Sequence, residues 1–224
     1  MSIQNVTFPS NGGQAHGYLQ LPGTTGTGPG VIVIQEWWGL TDHIADITRR
    51  LAAEGFVALA PDLYGGPTTH DAAEAQQLMT DLPADRAAKD LSGAVDYLLA
   101  HEAVTSTTAG VIGFCMGGGF VLQLAADRPE QVSAAVPFYG FPQDPAAIAP
   151  RIRGAVQGHY ATKDRIPLDA VRDLFGRLEN AELHVYEAGH AFLNDENLIG
   201  TYDPEAAKLA WSRAVTFLHE HLGS

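Results

Sequence analysis

Polar and apolar positions change rhythm early in the chain. Residues 6–8 (VTF) and 15–21 (AHGYLQL) flank the turn sequence SNGG and read as two short antiparallel strands. After them the apolar residues gather into short unbroken runs. The run GVIVIQE (30–36), apolar over 30–34, suits a strand buried on both faces of a parallel sheet. FVALAP (56–61), AGVIGF (109–114), 132–138, 153–158 and ELHVYE (182–187) supply further strands. Between them the spacing turns helical. Residues 42–54 set Ile44, Ile47 and Leu51 on one stripe, with Thr41 or Asp42 as N-cap and Gly55 as stop. Helical patterns also cover 71–82, 84–101 (Leu91, Val95 and Leu98 on one face), 118–127, 168–179 and 204–220, the last with Asp203 as N-cap and Pro204 at its first position. Residues 62–70 and 140–150 read as loops.

Strands alternating with helices after an opening hairpin predict an α/β architecture. Its central sheet is mostly parallel, with helices on both faces and an antiparallel N-terminal hairpin. At 224 residues the expectation is one domain spanning 1–224, and no internal repeat is visible. GTTGTGPG (23–30) has the glycines of a phosphate loop but lacks its Lys and Ser/Thr and precedes a strand, so it reads as a turn.

Composition narrows the partners. The chain is 46% hydrophobic and 17% charged, and no apolar run approaches the ~18 residues of a spanning helix. A formal charge of −13 repels phosphate backbones and anionic lipid surfaces, so neither nucleic acid nor a membrane is expected as partner. One cysteine excludes an intramolecular disulfide, and the start MSIQNVTFPSNGG lacks signal-peptide character, which points to the cytoplasm. No strongly patterned interface helix stands out, which leaves the oligomeric state open.

That cysteine sits in GFCMG (113–117), a G-x-S-x-G pattern with Cys for Ser, where a strand ends and a helix begins. Gly113 and Gly117 give the room that a strained turn needs, and the helix N-terminus favours thiolate over thiol. In isolation Cys115 reads as a small buried residue, Asp164 as a turn residue or N-cap and His190 as a loop histidine. Chain order changes this, because in the α/β-hydrolase arrangement acid and histidine follow the nucleophile, each on a loop after its own strand. Asp164 follows the strand at 153–158 and His190 follows the strand at 182–187, beside Gly189. His43, His70, His101, His184, His219 and His221 show no metal-ligand spacing, and His159 at most lines the site. In QEWWGL (35–40) the Trp37 N–H stands where the second oxyanion donor belongs, next to that of Met116. Glu36 ends a buried strand and needs a partner, either an arginine or the thiol proton.

The motifs QEWWGL, VALAPDLYGG, GFCMGGG, ATKDRIP and GHAF, in this order, resemble the dienelactone hydrolase (carboxymethylenebutenolidase) family of the α/β-hydrolase superfamily. The resemblance runs nearly the whole length. It implies a Cys115–His190–Asp164 triad acting through a thioester acyl-enzyme, with Glu36 as a fourth participant paired with the cysteine in the resting enzyme. It also implies a small-molecule ester or enol-lactone substrate and neither metal nor organic cofactor. The family's namesake lactone is held by two arginines that this chain does not match. Asn194 stands near one position, and no Arg or Lys lies between Asp62 and Asp85, although Arg86 follows closely. Trp37, Trp38, Tyr64, Phe141 and Phe192 are candidate pocket walls, with Trp38, Tyr64, Phe192 and Asn194 the candidate substrate contacts; whether Tyr139 faces the site is open. Two other readings stand beside the first: a general carboxylesterase or thioesterase of the same fold, and a non-catalytic module with Cys115 as an oxidation-sensitive thiol.

Overall fold

The computed structural model describes residues 3–10, 12–23 and 25–222. The opening hairpin pairs β1 (Val6–Ser10) with β2 (Gly13–Gln20), and its turn residue Asn11, like Thr24 in the 23–30 segment, lies outside the described residues. Six strands follow: β3 (Gly28–Ile34), β4 (Val57–Pro61), β5 (Val104–Phe114), β6 (Val132–Phe138), β7 (Ala155–Lys163) and β8 (Ala181–Gly189). With the hairpin they form one eight-stranded sheet in the order β1-β2-β4-β3-β5-β6-β7-β8, in which β2 is antiparallel to both β1 and β4 and β3 to β8 are parallel to one another. This is the mostly parallel sheet with an antiparallel N-terminal hairpin that the alternation of elements predicts.

The side chains of β3 show why its apolar run is continuous. Val31 and Val33 pack with Ile44, Ile47 and Leu51 of α1 (Asp42–Ala53) and with Phe217 and Leu218 of α7 (Pro204–His221). Ile32 and Ile34 point the other way, into a core shared with Leu91, Val95 and Leu98 of α3 (Ala84–Leu99) and Val121 and Leu122 of α4 (Met116–Asp127). Both faces are dry, so alternation in polarity disappears. The remaining helices are α2 (Ala72–Asp81), α5 (Pro145–Ile148) and α6 (Leu168–Phe175). Among the described residues no helix is long and apolar enough to cross a membrane.

Several boundaries differ from the sequence expectations. The segment 140–150 is not all loop: Asp144 caps α5 by accepting from Ala147 N at 3.0 Å, and a short 3-10 turn follows over Ala149–Arg151. Strand β5 begins five residues before 109, where VTSTT alternates half-buried with exposed positions and hides its strand character. Strand β7 runs five residues past 158, so Asp164 comes directly after its last residue. Helix α6 stops at Phe175, where the Gly176 N–H bonds back to Arg172 O at 2.9 Å.

The junction of β5 and α4 turns in a single residue. Cys115 has φ 53° and ψ −118°, a left-handed backbone that costs a non-glycine residue ~1–3 kcal/mol. Its N–H is held by Phe138 O at 3.1 Å. Strand and helix approach so closely that a Cβ on Gly113 would lie 2.6 Å from Gly117 O, and one on Gly117 2.5 Å from both Ile34 O and Gln35 O. Gly117→Ala is therefore expected to lower the unfolding free energy by about 1–3 kcal/mol in chemical denaturation; an unchanged midpoint would show that the packing relaxes freely.

Candidate active site

Every chemically active side chain follows a parallel strand at its C-terminal end, the edge where open α/β sheets bind ligands. Strand register brings them together. Lys163 of β7 pairs with Gly189 of β8, so the next residues, Asp164 and His190, emerge side by side. His190 Nδ1 stands 2.8 Å from Asp164 Oδ2, and His190 Nε2 stands 3.2 Å from Cys115 Sγ. The Asp164 side chain is 2% exposed, and its other oxygen accepts from Ile166 N at 3.1 Å. The backbone of His190 is tied down by the Thr201 hydroxyl, which donates to its carbonyl. The left-handed residue of this turn is Ala191 (φ 59°) rather than Gly189, which is small because a Cβ there would meet Thr201 Cγ2 at 2.8 Å.

Burial by itself would strip the proton from His190. The bonds to Asp164 and Cys115, with their negative charges, outweigh that and push the imidazole up to about 10. A charged imidazole thus sits against the sulfur at neutral pH.

Glu36, two residues past β3, is 1% exposed and meets neither an arginine nor the thiol as its hydrogen-bond partner. Its Oε2 accepts from Asn194 Nδ2 at 2.6 Å and its Oε1 from the Tyr139 hydroxyl at 3.5 Å. Burial raises the carboxyl above its ordinary value, while His43, the Asn194 amide and His190 act to keep it ionised. The resting pairing of Glu36 with Cys115 that the resemblance implies is accordingly absent here, since the sulfur is taken by His190. Tyr139, whose orientation the sequence leaves open, is fully buried, has φ 36° and packs edge-on against the His190 ring at 5.3 Å. Burial and the neighbouring Glu36 charge drive its phenol well up, so it remains a neutral donor.

A cavity of about 330 Å³ opens over these groups, lined by Glu36, Cys115 and His190 with Trp37, Trp38 and Ile199 among its walls. Met116 is the first residue of α4, and the Tyr64 hydroxyl lies 3.1 Å from Trp37 O and 3.6 Å from Met116 Sδ, bridging the two expected oxyanion positions. Among the described residues, Arg165 is the only arginine or lysine lining this cavity, and its position directly after Asp164 gave no separate signal in the sequence.

Two expected contacts, Phe192 and Asn194, move elsewhere, and His159 and Arg86 stay outside the cavity as well. Phe192 is fully buried among Phe138, Tyr139 and Tyr186 and belongs to the core behind the site. Asn194, 4% exposed, spends its amide on Glu36 and its carbonyl on Glu196 N at 3.0 Å rather than facing a substrate. His159 is fully buried between the Tyr186 hydroxyl and Gln157 Oε1, at 2.8 and 3.0 Å. Arg86 turns to Leu63 O and Asp90 and does not line the cavity. Among the described residues, no group of three or more His, Cys, Asp or Glu is placed to hold a metal ion.

Fold and relatives together define a hydrolase of the α/β-hydrolase class, acting on ester and lactone bonds. More narrowly, the profile of the dienelactone hydrolase family matches residues 15–222, and the chain belongs to that family. It is 36% identical to protein usf of Aquifex pyrophilus, the match covering 98% of this chain and 99% of that one. It is 33% identical, over 98% and 99% of the two chains, to an Aquifex aeolicus protein named "Putative carboxymethylenebutenolidase". Among solved structures it is similar to a dienelactone hydrolase-like promiscuous phosphotriesterase from metagenomic libraries, with TM-score 0.84 and 29% identity over 100% and 99% of the chains.

If Asp164 and the sulfur jointly hold the proton on His190, NMR titration of its ring should give a midpoint near pH 10. Asp164→Asn removes one hydrogen bond and one negative charge, so the midpoint should fall by about one to three pH units. An unmoved midpoint would separate the imidazole from Asp164.

Proposed function

We propose that the protein hydrolyses activated carboxylic esters and lactones through Cys115 as nucleophile, with His190 as proton carrier and Asp164 as the group that orients it. The observation carrying this reading is the 3.2 Å approach of His190 Nε2 to Cys115 Sγ, with Asp164 on the opposite ring nitrogen at 2.8 Å. The thiolate adds to the acyl carbon, and the carbonyl oxygen gains charge facing the N–H groups of Trp37 and Met116. The carbon–oxygen bond to the leaving group then breaks as His190 hands it a proton, leaving a thioester on Cys115. A water molecule, deprotonated by His190, attacks the thioester; the carboxylic acid departs and the sulfur recovers its charge. Each step uses only side-chain and backbone groups of this chain, the substrate and water.

The choice of nucleophile restricts the substrate. A thiolate leaves readily, so the tetrahedral adduct goes forward only when the competing leaving group is also good, as an enolate or phenolate is. Amides are therefore poor substrates. Glu36, anchored by Asn194 and Tyr139, lies close enough to His190 for the two to interact electrostatically, while burial raises its carboxyl above the ordinary value. Arg165 is the cation available to a substrate carboxylate, in place of the two arginines that other family members use.

Cys115→Ala is expected to lower kcat/KM for p-nitrophenyl acetate by at least about a thousandfold while leaving the far-UV circular dichroism unchanged. Turnover at the parent rate would remove Cys115 from the mechanism.

A further inference from the structure

A second and larger cavity, of about 600 Å³, lies along α4. Met116, next in chain to the nucleophile, lines it, and so do Gly119, Phe120 and Gln123, which fall on the same face of α4 at helical spacing. From Met116 to Gln123 that face runs about 10 Å away from Cys115. The opposite wall is α2, whose first residue, Ala72, lines the catalytic cavity while Met79 and Thr80 near its end line the groove. One helix thus borders both spaces, and the chain neighbours Cys115 and Met116 line one each.

The groove is built for an uncharged, apolar occupant. No ionisable side chain lines it, and Met79, Leu82, Met116, Phe120 and Phe141 are half-buried apolar walls. Its polar side chains are largely committed elsewhere: Gln123 gives its amide to Asp127 at 2.9 and 3.0 Å, and the Thr80 hydroxyl bonds to Gln76 O at 2.7 Å.

Stereochemistry decides which end of an ester lies there. The leaving group must face His190 Nε2 to take its proton, and His190 borders the Trp38 and Ile199 side of the catalytic cavity. The acyl substituent then points away from His190, past Met116. We propose that this groove is the acyl-chain subsite, and that the enzyme takes linear esters or thioesters with an apolar acyl chain of medium length, beyond the compact lactones of its family. A lactone ties acyl and leaving group in one ring and leaves the groove empty. The proposal rests on the reading of Cys115 as nucleophile.

The test compares p-nitrophenyl acetate with p-nitrophenyl octanoate, which share a leaving group, in the parent enzyme and in Ala88→Phe and Ala84→Trp, which fill the groove from two positions on α3. The octanoate-to-acetate ratio of kcat/KM should be at least about tenfold in the parent and fall about tenfold in either variant. A ratio near one in the parent, or a ratio that neither filled variant alters, overturns the subsite. Calorimetric binding of octanamide gives a readout that needs no turnover: the parent should bind it and the filled variants about tenfold more weakly. If the parent fails to cleave even the acetate, the hydrolase reading fails, while octanamide still judges the groove; absent or unchanged binding overturns it.

Discussion

Parallel pairing is the constraint on which the site depends. Each of β5, β6, β7 and β8 hands its following residue to the same edge of the sheet, and those residues are Cys115, Tyr139, Asp164 and His190. Their separations are inherited from strand register: Phe114 beside Phe138, Phe138 beside His159, Lys163 beside Gly189. A slip of one residue in any pair would turn its side chains to the opposite face and scatter the group. The dry cores on both faces resist such a slip, since every apolar residue of β3 would then change sides. The geometry of this edge is thus a by-product of core packing, with the left-handed residues Cys115, Tyr139 and Ala191 added as local strain.

Charge is arranged around that edge in a chain. Asp164 and the sulfur together hold a proton on His190 despite its burial, and Glu36, more deeply buried still, accepts hydrogen bonds from Asn194 and Tyr139. A buried carboxylate without those donors would protonate rather than remain charged. Asn194 and Tyr139 therefore act through Glu36, as positioning residues.

What could be read in the sequence followed from local signals. GFCMG needs two small residues around a sharp turn, and Asp164 and His190 could be located because each follows an apolar run in a fixed order. The hairpin, the parallel sheet and helices α1, α3 and α7 were legible from periodicity and caps. Other features depend on packing that no short window contains. Tyr139 adopts a left-handed backbone without being glycine, and its hydroxyl meets a carboxylate 103 positions away in the chain. Phe192 and His159 lie close to the site in sequence, but the side they face is decided by the aromatic cluster behind it. Arg86 was open to either reading because an arginine at a helix start reaches inward or outward according to its neighbours, here Leu63 and Asp90.

The central claim is that the acyl group passes through a covalent bond to one sulfur. Rapid quenching into acid during turnover of p-nitrophenyl acetate, followed by intact-mass and peptide mass spectrometry, tests it most directly. The account predicts one added acetyl group, confined to the peptide containing Cys115 and removed by neutral hydroxylamine. Steady hydrolysis with the acetyl group on another residue, or with no acylated protein even when deacylation is slowed by cooling, would contradict it.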